Sequence, residues 1–275
     1  MSGKVILIAG ASSGIGHASA RALIARGHTV YAGARRVDRL ADLAKAGAHH
    51  LELDVTDDGS VHQAVDRVMS DQGRIDGLFA NAGYCLLGPA ELHATEEVVR
   101  QFDTNVIGMG RSVAAVLPHM RRQRSGTVAI TSSGAGHVSM PGMVWYPATK
   151  HAQQGYAKGL RLEVKEFGIN VVLIEPGYID TDIDNASLPY LDLAAQHPEA
   201  SAYKTQIANF RKNWSEGVDN GASPDTIARV VVKAFESRRP KRAYHPNADA
   251  RMAILVNRIF GDRLLDRILP GQSIA

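Results

Sequence analysis

Val5-Ile6-Leu7-Ile8-Ala9-Gly10-Ala11-Ser12-Ser13-Gly14-Ile15-Gly16 is the stretch on which the fold turns. Its first five residues are continuously apolar, as in a parallel strand covered on both faces. Three glycines follow within seven positions, and a helical pattern then runs from about residue 15 to 26. Strand, glycine loop and helix in that order put the free N–H groups and positive dipole end of the helix beside the loop, where a pyrophosphate can sit. Glycine permits the tight turn and the close approach of the phosphate to backbone. The spacing is Gly-x-x-x-Gly-x-Gly and not Gly-x-Gly-x-x-Gly, so the strand–loop–helix context carries the reading, with a plain tight turn as the alternative. The same residues contain Gly10-x-Ser12-x-Gly14, the nucleophile-elbow pattern of serine hydrolases. An elbow serine draws its oxyanion loop from an earlier strand, and only nine residues precede Gly10, which disfavours hydrolysis.

Outward from this stretch the rhythm repeats. Short apolar, β-branched runs at 29–32, 51–53, 77–80, 127–131 and 169–174 alternate with helical patterns. That alternation predicts an α/β protein with right-handed βαβ units, a Rossmann-type doubly wound parallel sheet of about seven strands with helices on both faces. After Pro176 the period is lost, and residues 178–222, polar and aromatic with several prolines, are expected to form a lid or substrate loop. Ser223-Pro224-Asp225 then reads as a capped helix start. A short strand near 243–245 and an amphipathic helix over about 248–269 follow. The 275 residues suit a single domain over 1–275.

Composition excludes several classes. A formal charge of +3 comes from scattered Lys and Arg, with no basic stripe of the kind that tracks nucleic acid. The single cysteine, Cys85, precludes an internal disulfide and suits a reducing compartment. No apolar run approaches the ~18 residues of a membrane span. The five-residue run 5–9 leads into a glycine loop and not a cleavage site, so a cytoplasmic protein with no membrane partner is expected. The eleven histidines show no zinc-binding spacing, and no metal is expected.

Chemistry enters at Tyr146-Pro147-Ala148-Thr149-Lys150, where Tyr146 and Lys150 share one helical face. A phenol near pKa ~10 is a poor base at neutral pH, and a neighbouring ammonium favours its phenolate. The pair alone is weak evidence, but its company is not. Ser133 lies just past the 127–131 strand, Asn81-Ala82-Gly83 ends another strand, Asn105 falls in the following helix, and Pro176-Gly177 ends the sixth. All converge on the carboxyl rim of one sheet, where such folds bind ligands.

With these pieces the sequence resembles the short-chain dehydrogenases/reductases of the compact single-domain branch, and is similar around 146–183 to hydroxysteroid and retinol dehydrogenases. The matching residues are Gly10–Gly16, Asp54-Val55, Asn81-Ala82-Gly83, Asn105, Ser133, Tyr146-x-x-x-Lys150 and Pro176-Gly177-x-x-x-Thr181, with Ala9 where a threonine is usual. The resemblance implies that Tyr146 is the proton donor or acceptor and Ser133 orients the reacting oxygen. It implies that Lys150 lowers the tyrosine pKa and holds the nicotinamide ribose, and that Asn105 holds a water of the proton relay. The cofactor would be contacted by Gly10, Ser12, Ser13, Gly14, Ile15 and Gly16 at the loop, and by Asp54 and Val55 at the adenine. Asn81, Ala82, Gly83, Tyr146, Lys150, Pro176, Gly177 and Ile179 would contact it too, and Thr181 would meet the carboxamide side of the nicotinamide.

Cofactor choice rests on the end of the second strand. An NAD enzyme usually carries an acid there for the ribose 2′-hydroxyl. This chain has Ala34 at that place, followed by Arg35 and Arg36. A guanidinium grips a 2′-phosphate that a carboxylate would repel, so NADP(H) is favoured over NAD(H), with Arg35 or Arg36 as the ligand. Tyr84, Met140, Met143, Trp145 and Tyr178, with Ser133 and Tyr146, are expected around a small, largely apolar alcohol or carbonyl substrate. Relatives assemble through outer helices, so a homodimer or homotetramer is expected. A cofactor-binding sensor on the same fold is the alternative, disfavoured by the intact Ser133, Tyr146 and Lys150, and a nucleotide-sugar epimerase would need a longer chain.

Overall fold

In a computed structural model, which describes residues 3–181 and 183–261, the apolar run forms β1 (Val5–Ala9), buried at every position. Around it lie β2 (Thr29–Ala34), β3 (His49–Glu52), β4 (Gly77–Ala80), β5 (Gly126–Thr131), β6 (Ile169–Ile174) and β7 (Ala243–Tyr244). Among the described residues these make one seven-stranded sheet, order β3-β2-β1-β4-β5-β6-β7, and every pairing is parallel. The chain travels outward from β1 to β3 and returns to β4, so the strand order reverses beside β1. Beyond the carboxyl ends of the strands this reversal opens a crevice.

Parallel neighbours demand crossovers, and the helical patterns supply them. They form α1 (Gly14–Ala25), α2 (Ala41–Lys45), α3 (Asp58–Gln72), α4 (Thr95–Phe102), α5 (Gly108–Gln123) and α6 (Trp145–Glu163). Side chains alternate across the sheet, so each strand feeds two cores. Val5 and Leu7 pack with Val65 of α3, Val113 and Val116 of α5 and Leu160 of α6. Ile6 and Ile8 pack on the other face with Leu23 of α1 and with Ile227, Val231 and Phe235 of a later helix, α9 (Pro224–Glu236), if the intervening α7 (Ile183–Ala195) and α8 (Lys204–Asp219) are counted.

Those two intervening helices correct the sequence reading of 178–222 as a loop. Ile207, Phe210, Trp214 and Val218 are spaced as one face of a helix and are all buried. They pack with Leu191 and Ala194 of α7 in a small core of their own. Pro189 inside α7, Pro198 between the helices and the polar residues on their outer faces masked that period. The closing helix, expected over 248–269, is α10 (Ala248–Phe260); its expected last residues, 262–269, lie outside the described residues. Ser223 caps α9 as expected, its hydroxyl accepting from the Asp225 N–H. No helix among the described residues is long and apolar enough to cross a membrane.

Candidate active site

The glycine loop forms where β1 meets α1. Gly10 and Gly14 have φ of +91° and +54°, in the region L side chains avoid. Gly16 needs its missing side chain for a different reason: a Cβ there would lie 2.0 Å from the Gly10 carbonyl oxygen. The amides of Gly10 and Ala11 both donate to the Gly33 carbonyl. Asn81, at the end of β4, donates through Nδ2 to the Gly10 carbonyl at 2.8 Å and accepts from the Thr131 hydroxyl at 2.8 Å. One amide side chain thus ties the loop to β4 and β5, although Ala9 brings no hydroxyl.

A cavity of about 980 Å³ follows the carboxyl edge of the sheet, large enough for a dinucleotide and a small substrate. In strand order its wall comprises Asp54 and Val55 after β3, Arg35 and Arg36 after β2, and Ser12, Ser13 and Ile15 with Gly10 after β1. Next come Asn81, Ala82, Gly83 and Tyr84 after β4, Ser133 after β5, and Pro176, Gly177, Tyr178, Ile179 and Thr181 after β6. Asp54 is fixed by the Thr56 N–H and hydroxyl, at 2.9 and 2.7 Å on the same oxygen. Gly14 and Gly16 are not part of this wall. The glycine cradle and the run of polar groups along the crevice fit an elongated anion-bearing cofactor.

Tyr146 and Lys150 open α6 on one face, and both line the cavity. The Ser133 hydroxyl and the Cys85 thiol are the polar groups that act on the Tyr146 hydroxyl. Burial pushes the phenol well above its ordinary range; the thiol adds to that, and the serine hydroxyl opposes it. Burial also lowers the Lys150 ammonium to about 8, with Cys85 opposing. Lys150 Nζ sits 5.2 Å from the centre of the Tyr146 ring, against its face. The sequence expectation that the ammonium draws the phenol downward is not met here, since Lys150 is not among the groups that move it, and Tyr146 holds its proton at neutral pH. Paired with a serine hydroxyl, a protonated phenol can hand that proton to a bound oxygen.

Asn105 lies in a π-helical turn, Asp103–Ile107, between α4 and α5, and is fully buried behind the cavity. Its amide accepts from the Tyr84 N–H at 3.1 Å and donates to the Tyr84 carbonyl at 2.9 Å and to Thr149. Such turns frequently mark functional sites. Trp145 is the one proposed substrate contact that does not line the cavity, since its indole N–H reaches toward the Ala90 carbonyl. The expected Met140, Met143 and Tyr178 do line it, together with Tyr190 and Trp214.

Four contributors escaped the sequence reading. Trp214 stands edge-on to Tyr178 at 5.9 Å, and its signal was the helical spacing in α8. Asp249 of α10 accepts from the Tyr178 N–H at 3.1 Å, while Asn247 donates to the Tyr178 carbonyl at 3.0 Å. The fourth, Gln153, is fully buried one turn past Lys150 and hydrogen-bonded to it. A glutamine at a core-facing helical position was the available signal for it.

A family model described as short chain dehydrogenase matches residues 4–190. The chain belongs to the short-chain dehydrogenases. The 3-ketodihydrosphingosine reductase of Bacteroides thetaiotaomicron is 36% identical to this short-chain dehydrogenase over 241 residues, spanning 87% of this chain and 86% of that protein. Human 17-beta-hydroxysteroid dehydrogenase type 1 is 34% identical over 263 residues, 89% of this chain and 77% of the other. Among solved structures, a short chain dehydrogenase/reductase from Burkholderia phymatum in complex with NAD superposes with a TM-score of 0.81 at 25% identity, covering 98% of this chain and 96% of that one. An alcohol dehydrogenase from the archaeon Thermococcus sibiricus, complexed with 5-hydroxy-NADP, gives 0.72 at 25% identity, with 88% and 95% covered. Membership makes this short-chain dehydrogenase an oxidoreductase of alcohol or carbonyl groups that uses a nicotinamide cofactor.

Proposed function

We propose that this short-chain dehydrogenase interconverts a small, largely apolar alcohol and its ketone or aldehyde with NADP(H), as a single-domain, cytoplasmic homo-oligomer. The observation that carries the reading is the convergence of Ser133, Tyr146 and buried Lys150 on the wall of the crevice that the glycine loop also lines. The nicotinamide supplies or accepts the hydride. The chain's own work is positioning and proton management. Ser133 orients the reacting oxygen, and Tyr146 protonates it in reduction or takes its proton in oxidation. Lys150 holds the ribose, and Asn105 anchors the segment carrying Tyr84. Asp54 and Val55 flank the adenine and Thr181 the carboxamide. Arg35, with Arg36 beside it, meets the 2′-phosphate. A phenol held protonated by burial suits reduction.

The substrate side supports an apolar compound, since methionines, aromatic rings and Cys85 outnumber charged groups there. The relatives' names, a ketone reductase and a hydroxysteroid dehydrogenase, point to the same pair of functional groups. NADPH oxidation measured against a panel of ketones and aldehydes tests the reading, with Tyr146→Phe alongside. Turnover of an apolar member is expected, with a loss of about 100-fold or more in the variant while NADPH still binds. Near-normal turnover by Tyr146→Phe would sink the mechanism.

A further inference from the structure

Resting on that reading, one side chain outside the expected set takes a role in it. Lys150 Nζ donates to the Thr131 carbonyl at 2.7 Å and to Gln153 Oε1 at 3.1 Å. Gln153 Nε2 donates in turn to the Asn105 carbonyl. The amide can sit only this way round: an ammonium offers donors alone and a backbone carbonyl accepts alone. Residues 146, 150 and 153 lie on one face of α6, so the glutamine occupies a core position that packing alone would give to an aliphatic residue. All three members of the chain, Lys150, Gln153 and Asn105, are buried.

An ammonium has three N–H donors. With two tied to carbonyl oxygens on different elements, β5 and the glutamine of α6, the tetrahedral geometry fixes the direction of the third. We propose that Gln153 is a positioning residue for the reaction: by bridging Lys150 to the Asn105 carbonyl, it aims the remaining Lys150 N–H into the cavity, toward the cofactor ribose and the Tyr146 side. Its amide replaces rotational freedom of the lysine head with a fixed bearing, and it joins α6 to the π-helical turn that holds Tyr84. Among the described residues, the other titratable groups around Lys150 are Tyr146 on its own helix and Cys85 after β4. Asp103 of the π-helical turn is engaged by Arg111 at 2.7 Å.

The bridge also favours the charged lysine, because Oε1 accepts from the ammonium. Activity that needs the cation is present below the Lys150 pKa, about 8, and is lost as pH rises through it. Gln153→Met, similar in size but without the amide, removes an acceptor and moves that loss to lower pH. Gln153→Glu places a carboxylate there and moves it to higher pH. Carbonyl reduction is followed across pH for wild type, both variants and Tyr146→Phe, and NADPH affinity is read independently by fluorescence titration. Gln153→Met is expected to weaken NADPH and to lower kcat by about tenfold each, the scale of one hydrogen bond to a charged group, with carbonyl KM little changed. A folded Gln153→Met with wild-type NADPH affinity and an unmoved pH limb would overturn the proposal, as would shifts of both variants in the same direction. If Gln153→Met does not fold, Gln153→Glu decides by the direction of its shift. Failure of the underlying reading is separate, since it would show as activity retained in Tyr146→Phe.

Discussion

Arg35 leaves the sheet at the end of β2, exposed at the rim of the cavity, directly after a buried Ala34. A carboxylate at residue 34 would compete for the arginine and repel a phosphate, whereas alanine leaves the guanidinium available for bidentate charge-assisted hydrogen bonds. Arg35→Ala is therefore expected to weaken NADPH by about ten- to a hundredfold and to leave NADH little changed. Fluorescence titration of both cofactors checks it, and equal weakening of the two would reassign the arginine to the solvated surface. At this scale the sequence was informative wherever a residue type is scarce in its setting. Glycines in a strand-to-helix loop and a tyrosine and lysine one turn apart announced themselves. The Asn81 link between Gly10 and Thr131 and the Gln153 bridge did not, because a hydrogen bond between residues 48 or 71 positions apart leaves no local pattern.

At the scale of elements, strands and their crossover helices were legible because buried parallel strands need unbroken apolar runs. The α7–α8 pair was not, since its apolar face is assembled from widely spaced residues among prolines and polar side chains. That pair makes a small core separate from the two that sandwich the sheet. Trp214, only 4% exposed, packs there with Phe210 and Tyr178. Replacing a buried tryptophan by alanine costs roughly 3–5 kcal/mol where neighbours do not close the gap. Because this core is local, Trp214→Ala is expected to loosen the two helices and raise the carbonyl KM while NADPH affinity stays close to wild type. Hydrogen exchange confined to α7 and α8, together with steady-state kinetics, measures it; faster exchange throughout the sheet would show that the small core is not independent.

Over the whole molecule, the proposed self-association has a candidate surface. Val99 of α4, Ile107 of the π-helical turn and Leu162 of α6 are 59%, 52% and 77% exposed, on elements that pack side by side. Light scattering at micromolar concentration is expected to give a mass of two or four chains, reduced by Leu162→Glu; a monomer mass in the wild type would refute it. The doubly wound parallel sheet was predictable from alternation, whereas the way α10 meets the site depends on two side chains, Asn247 and Asp249, gripping the backbone of Tyr178 from 69 and 71 residues away. That span has a consequence in time. A chain made from its amino end possesses the glycine loop, Ser133, Tyr146 and Lys150 long before it possesses the clasp that shapes the wall beyond β6. Contacts of such separation in sequence close late and slowly. The scaffold for chemistry thus precedes the chamber that confines it, and a growing polypeptide carries its reactive groups in an open crevice until the first turn of α10 has been added.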